Sequence, residues 1–456
     1  MKICFIVTAG QTHRPCYEER KFWEAYYLKY FKSTNYLFDK KIEFDPGDIE
    51  SFFFGSEFPR WNLMLASIAR EEGFDVELID CIANDMDFSH DLPPKSDIYC
   101  FSSFTQYYDD VLKAASCIKL QRPGAVYIIG GAHVSRTPVE SMDKGCWDAL
   151  FIGESENTFR SFIKEFKKTG MIKEQQGVIT SDTQPMENFI PHDPVVDLSC
   201  LPLPAYDLLP EFYRNTFSVK IFCSRGCPFN CTFCVSHHKK LRNKSLAYVE
   251  KEMDLIAENI HFKEIYVYDD NFFLDNEYGR NIALLLRDKK MNWSCRLRAD
   301  MHDKIMYDKL YQWGCRRISV GGESADNNVL EMANKKIRRR DIETTCRMAT
   351  DNGLNVHLYW MTGLPGETSY SARKTIDFAV EMMEKKICNT AEYAIFVPYP
   401  GTDIYADTKK YGICMRDEPW GNFRTDRKPV FDMAQRSSES IYEDWLWGIR
   451  QLTLAF

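Results

Sequence analysis

Cys223-Ser-Arg-Gly-Cys227-Pro-Phe-Asn-Cys231-Thr-Phe-Cys234 carries four of the chain's sixteen cysteines, three of them in the spacing C-x3-C-x2-C directly after a short apolar run. Three thiolates on one short loop can hold three irons of a [4Fe-4S] cube and leave the fourth iron without a protein ligand. Structural zinc also takes thiolates, but it wants four of them in tetrahedral closure, usually as two separated pairs, which one three-cysteine loop fits poorly. Cys223 lies in the strand register before the loop, where a small buried cysteine is expected.

Downstream of the loop, short apolar runs alternate with amphipathic stretches. Strands are expected at 219–223, 264–268, 293–298, 317–320, 356–361 and 391–397, and helices at 249–259, 280–287, 304–313, 341–352 and 372–385. Six successive βα units predict a partial or complete parallel (β/α) barrel, of TIM type, whose active site lies at the strand carboxyl ends. The cysteine loop follows the first of these strands, which places it at that end. Beyond 401 about fifty residues remain, closing on an aromatic, helix-like stretch at 441–454.

Upstream, 1–170 has the same rhythm, with strands expected at 2–8, 74–79, 98–101, 126–129 and 149–152 and helices at 62–71, 111–120 and 156–168. The pattern predicts a five-stranded parallel sheet of Rossmann-like, doubly wound type, with ligands at the strand carboxyl ends. Those ends carry Gln11, then Ser102-Ser103-Phe104, Gly130-Gly131-Ala132-His133 and Gly153-Glu154. Glycine pairs there allow close backbone approach to a bulky ligand, and plain turns are the alternative reading. An aromatic insertion at 17–57 repeats Phe22, Tyr26, Tyr30 and Trp23, Tyr27, Phe31 at helical spacing, as a packed cap or as a lid. The connector 171–214 holds Pro185, Pro191, Pro194, Pro202, Pro204 and Pro210 and is expected to lie extended over the surface.

Composition narrows the function classes. The 456 residues are 45% hydrophobic and 27% charged, an ordinary globular balance with room for about three compact units. Net charge is −8 with no basic tail, which disfavours nucleic acid as the main partner. No stretch approaches the ~20 apolar residues of a membrane span, and the scattered cysteines read as reduced thiols, so a soluble, cytoplasmic chain is expected.

The cysteine loop resembles the signature of the radical S-adenosylmethionine (SAM) enzymes, and Ser224-Arg225-Gly226-Cys227-Pro228 is similar to the cobalamin-binding branch of that superfamily. Counterparts of further motifs follow at the ends of barrel strands two to six: Tyr268-Asp269-Asp270-Asn271-Phe272, Arg296-Leu297-Arg298-Ala299-Asp300, Gly321-Gly322-Glu323-Ser324, Gly363-Leu364-Pro365-Gly366-Glu367-Thr368 and Pro398-Tyr399-Pro400-Gly401-Thr402. Upstream, Gly130 to Ser135 and Gly153 to Glu156 resemble two late loops of the B12-binding domain, and LPLPAYDLLP at 201–210 resembles the interdomain linker.

The resemblance implies a Rossmann-like cobalamin-binding domain at 1–170, a linker at 171–214, a radical SAM domain at 215–400 that is a (β/α)6 partial TIM barrel, and a C-terminal extension at 401–456. It implies that Cys227, Cys231 and Cys234 hold the cluster, and that SAM chelates the open iron and is cleaved to methionine and a 5′-deoxyadenosyl radical. Asp270, Arg298, Glu323 and Ser324 are then expected to contact SAM. Glu323 can accept from an ammonium or ribose hydroxyl and Arg298 can hold a carboxylate, with a structural ion pair at the barrel mouth as the other reading of each. Cobalamin is expected against Gln11, Thr12, His13, Ser102, Ser103, Phe104, Gly130, Gly131, Ala132, His133, Gly153 and Glu154. The D-x-H-x-x-G motif that supplies an axial histidine in many B12 proteins is absent. His13 stands at its place without the flanking Asp and Gly, so ligation by His13 and a cobalt with no protein nitrogen below it both stay open.

The expected activity is methyl transfer to an unactivated carbon, or phosphorus, of a small metabolite or peptide, with an external reductant such as flavodoxin or ferredoxin. The same cofactors also serve radical cyclisation and rearrangement. Methylthiolation of tRNA, kept open by Cys16 and Cys81 near strand ends, sits poorly with the acidic charge and the GGAHVS loop. A non-enzymatic iron-sulfur or cobalamin sensor would leave the strand-end motifs without a role.

Overall fold

The structure, a computed structural model, describes residues 1–8, 59–81, 83–183, 194–236, 239–300 and 304–455. The aromatic insertion at 17–57 and the expected contacts Gln11, Thr12 and His13 lie outside the described residues.

The N-terminal sheet contains β1 (Lys2–Val7), β2 (Asp75–Asp80), β3 (Ile98–Ser102), β4 (Val126–Gly130), β5 (Ala149–Phe151) and β6 (Val178–Ile179) in the order β2-β1-β3-β4-β5-β6. Ile3, Phe5 and Val7 of β1 face one core with the helices Arg60–Glu71 and Glu156–Thr169, while Cys4 and Ile6 face the other with Tyr108–Gln121. Helices on both faces explain why the strands read as continuous apolar runs. The sheet has six strands where five are expected: β6 pairs antiparallel to β5 from within the connector. Two residues are too few to carry an alternation, and the open edge of β5 recruits them.

The second sheet is built from β7 (Ser218–Ile221), then, past a small antiparallel pair β8 (Ser224–Arg225) and β9 (Arg242–Asn243), from β10 (Glu264–Val267), β11 (Trp293–Arg298), β12 (Cys315–Glu323), β13 (Asn355–Thr362) and β14 (Thr390–Ile395). These six strands are parallel and lie in sequence order, a half-barrel with helices outside. Val219, Ile265, Cys295, Ile318 and Val356 join the core beneath the helices. The alternate positions, among them Lys220, Tyr266, Arg296, Arg317 and His357, therefore face the lumen. The C-terminal extension adds the pair β15 (Ile413–Met415) and β16 (Phe431–Met433) and the helix Ser438–Ala455, whose Trp445 Nε1 donates to the Tyr393 carbonyl at 2.7 Å.

The described residues of the connector do not all run extended over the surface. They form three short 3-10 turns, Leu198–Cys200, Tyr206–Leu208 and Glu211–Tyr213, and bury Leu198, Leu201, Tyr206, Leu209 and Tyr213. Proline forbids long helix but leaves single turns, and the apolar residues between the prolines supply the anchors. Tyr206 enters a buried cluster that joins the two halves: its hydroxyl donates to Glu252 at 3.0 Å, Lys244 pairs with Glu252 at 2.9 Å, and Arg60 of the first half pairs with Glu252. Burial works to raise the Glu252 pKa, but the two cations outweigh it and hold the carboxyl below its ordinary value. Removing one member of such a cluster strands a buried charge, so its loss would be costly to the junction between the halves. Among the described residues no helix is long and apolar enough to cross a membrane.

Candidate functional site

At the carboxyl ends of β3, β4 and β5 a crevice of about 1740 Å³ opens toward the barrel. Pockets for drug-sized ligands span roughly 300–1,000 Å³, so this space suits a large cofactor. Ser102, Ser103, Phe104, Gly130, Gly131, Ala132, Gly153 and Glu154 line it, and Val235, Lys239, Arg242 and Tyr399 face them from the barrel half. Gly131 has φ +103°, and a Cβ there would meet the Ser103 carbonyl at 2.6 Å and its nitrogen at 2.8 Å, so the loops after β3 and β4 interlock only without a side chain. Gly153 has φ +79° with nothing within 4 Å of an added Cβ, and it presents bare backbone to the open space. Exposed backbone and small side chains around a cavity of this size fit a corrin ring with its nucleotide tail.

His133 does not belong to that lining. The turn after Gly131 points it into the core, where its ring meets Tyr108 at 4.2 Å and Trp420 at 4.9 Å, with Nδ1 3.3 Å from Thr105 Oγ1. Burial lowers its pKa to about 4, so it is neutral. Adjacent residues of a tight turn face opposite ways, and here Ala132 faces the crevice while His133 faces the core.

Glu154 lines the crevice with its carboxylate committed elsewhere. It accepts from Arg225 at 3.1 Å and from Arg242 at 2.9 Å, and Arg225 also pairs with Glu156 at 2.6 Å. The two guanidiniums hold the Glu154 carboxyl below its ordinary range although burial alone would raise it. Arg225 stands between Cys223 and Cys227, so these ion pairs tie the cysteine loop to the first domain.

The loop itself is held from several sides. Asp269 accepts from the Cys223 nitrogen at 2.7 Å and the Ser224 hydroxyl at 2.6 Å, anchoring its start to the end of β10. Cys223 is fully buried, Cys231 is nearly so, and Cys227 and Cys234 are half-buried. Burial raises the Cys227 thiol and pushes Cys234 up to about 11, with the charge of Asp270 and then the neighbouring sulfurs adding to it. Among the described residues no set of three or more His, Cys, Asp or Glu is gathered as a single-ion site. The fit to a cluster rests on the chemistry of the donor set: three thiols of one loop at the barrel mouth, within electrostatic reach of one another.

Arg298 sits over the Phe229 ring at 3.6 Å, pairs with Asp300 at 3.1 Å, donates to the Lys335 carbonyl at 2.6 Å and brings Nη1 to 3.8 Å from the Cys231 sulfur. It packs on the loop with its fork already engaged. Asp270 faces the same loop; burial raises its pKa, against a hydrogen bond from Ser236 and the charges of Arg296 and Lys239. Glu323 pairs with Lys335 at 2.6 Å and sits at φ +62°, on a bulge where β12 leaves its register with β13. Such a backbone strains an L-residue, and strain of this kind gathers at functional sites. Ser324, by contrast, is fully buried: its hydroxyl lies 3.3 Å from Thr375 Oγ1 and accepts from the Asp326 nitrogen at 3.1 Å. That hydroxyl is spent on the start of a helix and does not reach the mouth.

Sequence reasoning passed over Arg242 and Lys239, and it named Asp269 within a strand-end motif without giving it a role. The basic run 239–244, KKLRNK, opposite the acidic Glu154 and Glu156 was the available signal for the first two.

Residues 53–163 match the B12 binding domain profile and residues 221–379 match that of the radical SAM superfamily. An uncharacterised methyltransferase of Pyrococcus horikoshii is 30% identical over 394 residues, 83% of each chain. The cytidylyl-2-hydroxyethylphosphonate methyltransferase of Streptomyces wedmorensis is 23% identical over 362 residues, 70% of this chain and 67% of that one. The fold matches that of the radical SAM methyltransferase TsrM from Kitasatospora setae, solved with cobalamin and a [4Fe-4S] cluster bound, at a TM-score of 0.67 and 14% identity over 100% of this chain and 89% of that one.

Proposed function

Since the chain belongs to the cobalamin-binding radical SAM enzymes, we propose that it is a methyltransferase that consumes two molecules of SAM per turnover and methylates an unactivated carbon, or phosphorus, of a small molecule or peptide. When bound, the [4Fe-4S] cluster supplies the electron that cleaves SAM to a 5′-deoxyadenosyl radical, and cobalamin carries a methyl group from SAM to the substrate.

The residues of the chain do the positioning. Cys227, Cys231 and Cys234 would hold the cluster, with Asp269 and Arg298 fixing the loop that presents them. The Glu323–Lys335 pair at the mouth would receive the SAM ammonium or ribose, and Asp270 would line the same approach. Ser102, Ser103, Gly130, Gly131 and Gly153 would cradle cobalamin through backbone and small side chains. Arg225 and Arg242, paired with Glu154 and Glu156, clamp the crevice rim to the cysteine loop. An external one-electron donor such as flavodoxin or ferredoxin would complete the cycle.

The observation that carries this reading is the crevice itself, whose wall runs from the strand ends of the first sheet onto the segment that follows the cysteines. A substrate held there meets both cofactor sites at once, which is what a radical-based methyl transfer requires. With SAM labelled in its methyl group, label is expected in the product, with S-adenosylhomocysteine and 5′-deoxyadenosine in comparable amounts. Deoxyadenosine formed during substrate turnover, with neither label in the product nor S-adenosylhomocysteine, overturns it.

A further inference from the structure

The half-barrel lumen holds two arginines whose surroundings differ. Arg317 is nearly buried and is neutralised by Glu264, 3.2 Å away and fully buried, which Ser218 and Ser294 also hydrogen-bond. Arg296, on the neighbouring strand β11, has no carboxylate partner within ion-pair distance among the described residues. Its guanidinium lies over the Tyr268 ring at 3.3 Å and reaches the Tyr266 ring at 5.9 Å, and its Nε has no hydrogen-bond partner. Lys220 adds a second cation beside the same platform, 4.3 Å from the Tyr268 ring. Among the described residues the acids that act on it stand off at a distance: Asp270, hydrogen-bonded by Ser236, feels the charges of both Arg296 and Lys239, and Glu392 pairs with His357 at 3.8 Å.

A deep cation without an ion-pair partner is costly, and chains usually supply one. Tyr266 registers the excess: burial pushes its phenol up, yet the charges of Arg296 and Arg317 bring the pKa below the ordinary tyrosine value. Arg296 is nevertheless accessible. It and its neighbours Tyr268, Lys220 and Tyr359 are all partly exposed, so the lumen they share is open. On β11, Arg296 stands two residues before Arg298 on the same face, one pleat or about 7 Å deeper than the residue that touches the cysteine loop. Phe222 and Trp61 continue the aromatic wall from Tyr268, with ring centroids 5.7 and 5.2 Å apart in turn, and Trp61 lines the cobalamin crevice.

We propose that Arg296, backed by Lys220 and stacked on Tyr268, is the anchor of an anion subsite in the barrel lumen, and that the substrate enters with a carboxylate or phosphoryl oxyanion pointing down into it. This rests on the reading of the chain as a methyltransferase. It adds the substrate class: an acid whose anionic end is fixed in the lumen while its remainder lies along the aromatic wall toward the crevice. Guanidinium donors suit both oxyanions, since carboxylate and phosphate each accept a parallel pair of N–H groups. Arg296 is thereby a specificity-determining residue rather than a SAM contact.

The test uses the full chain reconstituted with cluster, cobalamin and SAM, titrated calorimetrically at low salt with phenylphosphonate, phenylacetate and, as the neutral control, benzyl alcohol. Expected is binding of at least one anion tenfold or more tighter than benzyl alcohol, weakened at least tenfold in Arg296→Gln and largely restored in Arg296→Lys. Preference for the phosphonate or the carboxylate identifies the oxyanion. Anions that bind no better than benzyl alcohol to the unaltered protein, or equally well to Arg296→Gln, overturn the proposal. Cluster absorbance and labelled-methyl transfer measured on the same preparation separate the two levels: if they are intact while anion discrimination is absent, only the lumen assignment falls.

Discussion

The crevice of the first domain and the lumen of the second are both built at the carboxyl ends of parallel strands, yet they are made in opposite ways. In the crevice the decisive residues are those with little or no side chain: Gly131 lets two loops interlock, and Gly153 bares backbone to the cavity. In the lumen and at its mouth the decisive residues are charged or aromatic, with Arg296 over Tyr268, Arg298 over Phe229 and Glu323 against Lys335. One region accommodates a bulky ligand by absence, and the other addresses small polar groups by presence. Adding a methyl group should therefore injure the first, and removing a charge should injure the second.

The largest expected effect is on the second region. Replacing Cys227, Cys231 and Cys234 together by Ala should abolish the visible absorbance of the cluster and SAM cleavage, whereas Cys223→Ala, at a buried cysteine outside the triad, should leave both in place. Retained absorbance with normal cleavage in the triple variant would break the comparison at its root.

Next comes the addition of one carbon to the crevice. Gly131→Ala forces a Cβ into the Ser103 backbone at a positive φ, and overpacking with backbone strain should cost roughly 2–4 kcal/mol of stability. Cobalamin affinity, followed by its visible spectrum, should fall at least tenfold. Gly153→Ala meets the same φ penalty but open space, so its stability loss should stay near 1–2 kcal/mol. Equal losses at the two positions would show that shape is not what Gly131 contributes.

The third effect is on pH dependence behind the crevice. His133 has a folded pKa near 4 against about 6.5 when unfolded, so between those values the unfolded chain binds more protons. Stability from this group is complete above about pH 6.5 and is lost as the pH falls toward 4, by up to ~2 kcal/mol between pH 7 and pH 5. Asp269, whose folded pKa is raised to about 6, acts in the opposite sense over much of that window, so the histidine is isolated by difference. His133→Gln should flatten the acid limb of the midpoint–pH curve relative to the unaltered chain. An identical curve would place the histidine in a solvated setting, contrary to its packing against Tyr108 and Trp420.

The smallest effect concerns the clamp between the two regions. Glu154→Gln removes the charge shared by Arg225 and Arg242 while keeping the side-chain shape. Because Glu154 is 26% exposed, the loss should be about 1 kcal/mol and should shrink as salt is added. SAM cleavage uncoupled from methyl transfer should rise, because the cysteine loop and the crevice rim are no longer held together. Coupling that stays unchanged would mean that the buried Arg60–Glu252–Lys244 cluster alone sets the domain placement.

Much of this was legible from residue order. The five longer strands of the first sheet read as apolar runs because helices cover both faces, the six of the half-barrel as shorter apolar patterns broken by lumen residues such as Arg296 and Arg317, and the thiol spacing of the loop could be read from twelve consecutive residues. The two-residue strand β6 was not legible, since its conformation comes from the edge of β5 rather than from its own pattern. The connector misled for a related reason: its prolines were visible, but the burial of Tyr206 and Tyr213 depends on partners far along the chain, Glu252 and Asp80.

What the sequence determined by itself was thus whatever is local: the periodicities that order strands and helices, and the thiol spacing that defines a cluster loop. The tertiary structure decided which neighbours along the chain face which way, and which charges meet. It turned Ala132 toward the crevice and His133 into the core, and buried Ser324 at a helix start beside Glu323 at the mouth. It set Glu154 against Arg225 and Arg242, 71 and 88 positions away, and neutralised Arg317 while leaving Arg296 to its tyrosines. Side-chain direction and charge balance depend on groups brought together across the fold, and a spacing pattern along one chain does not contain them.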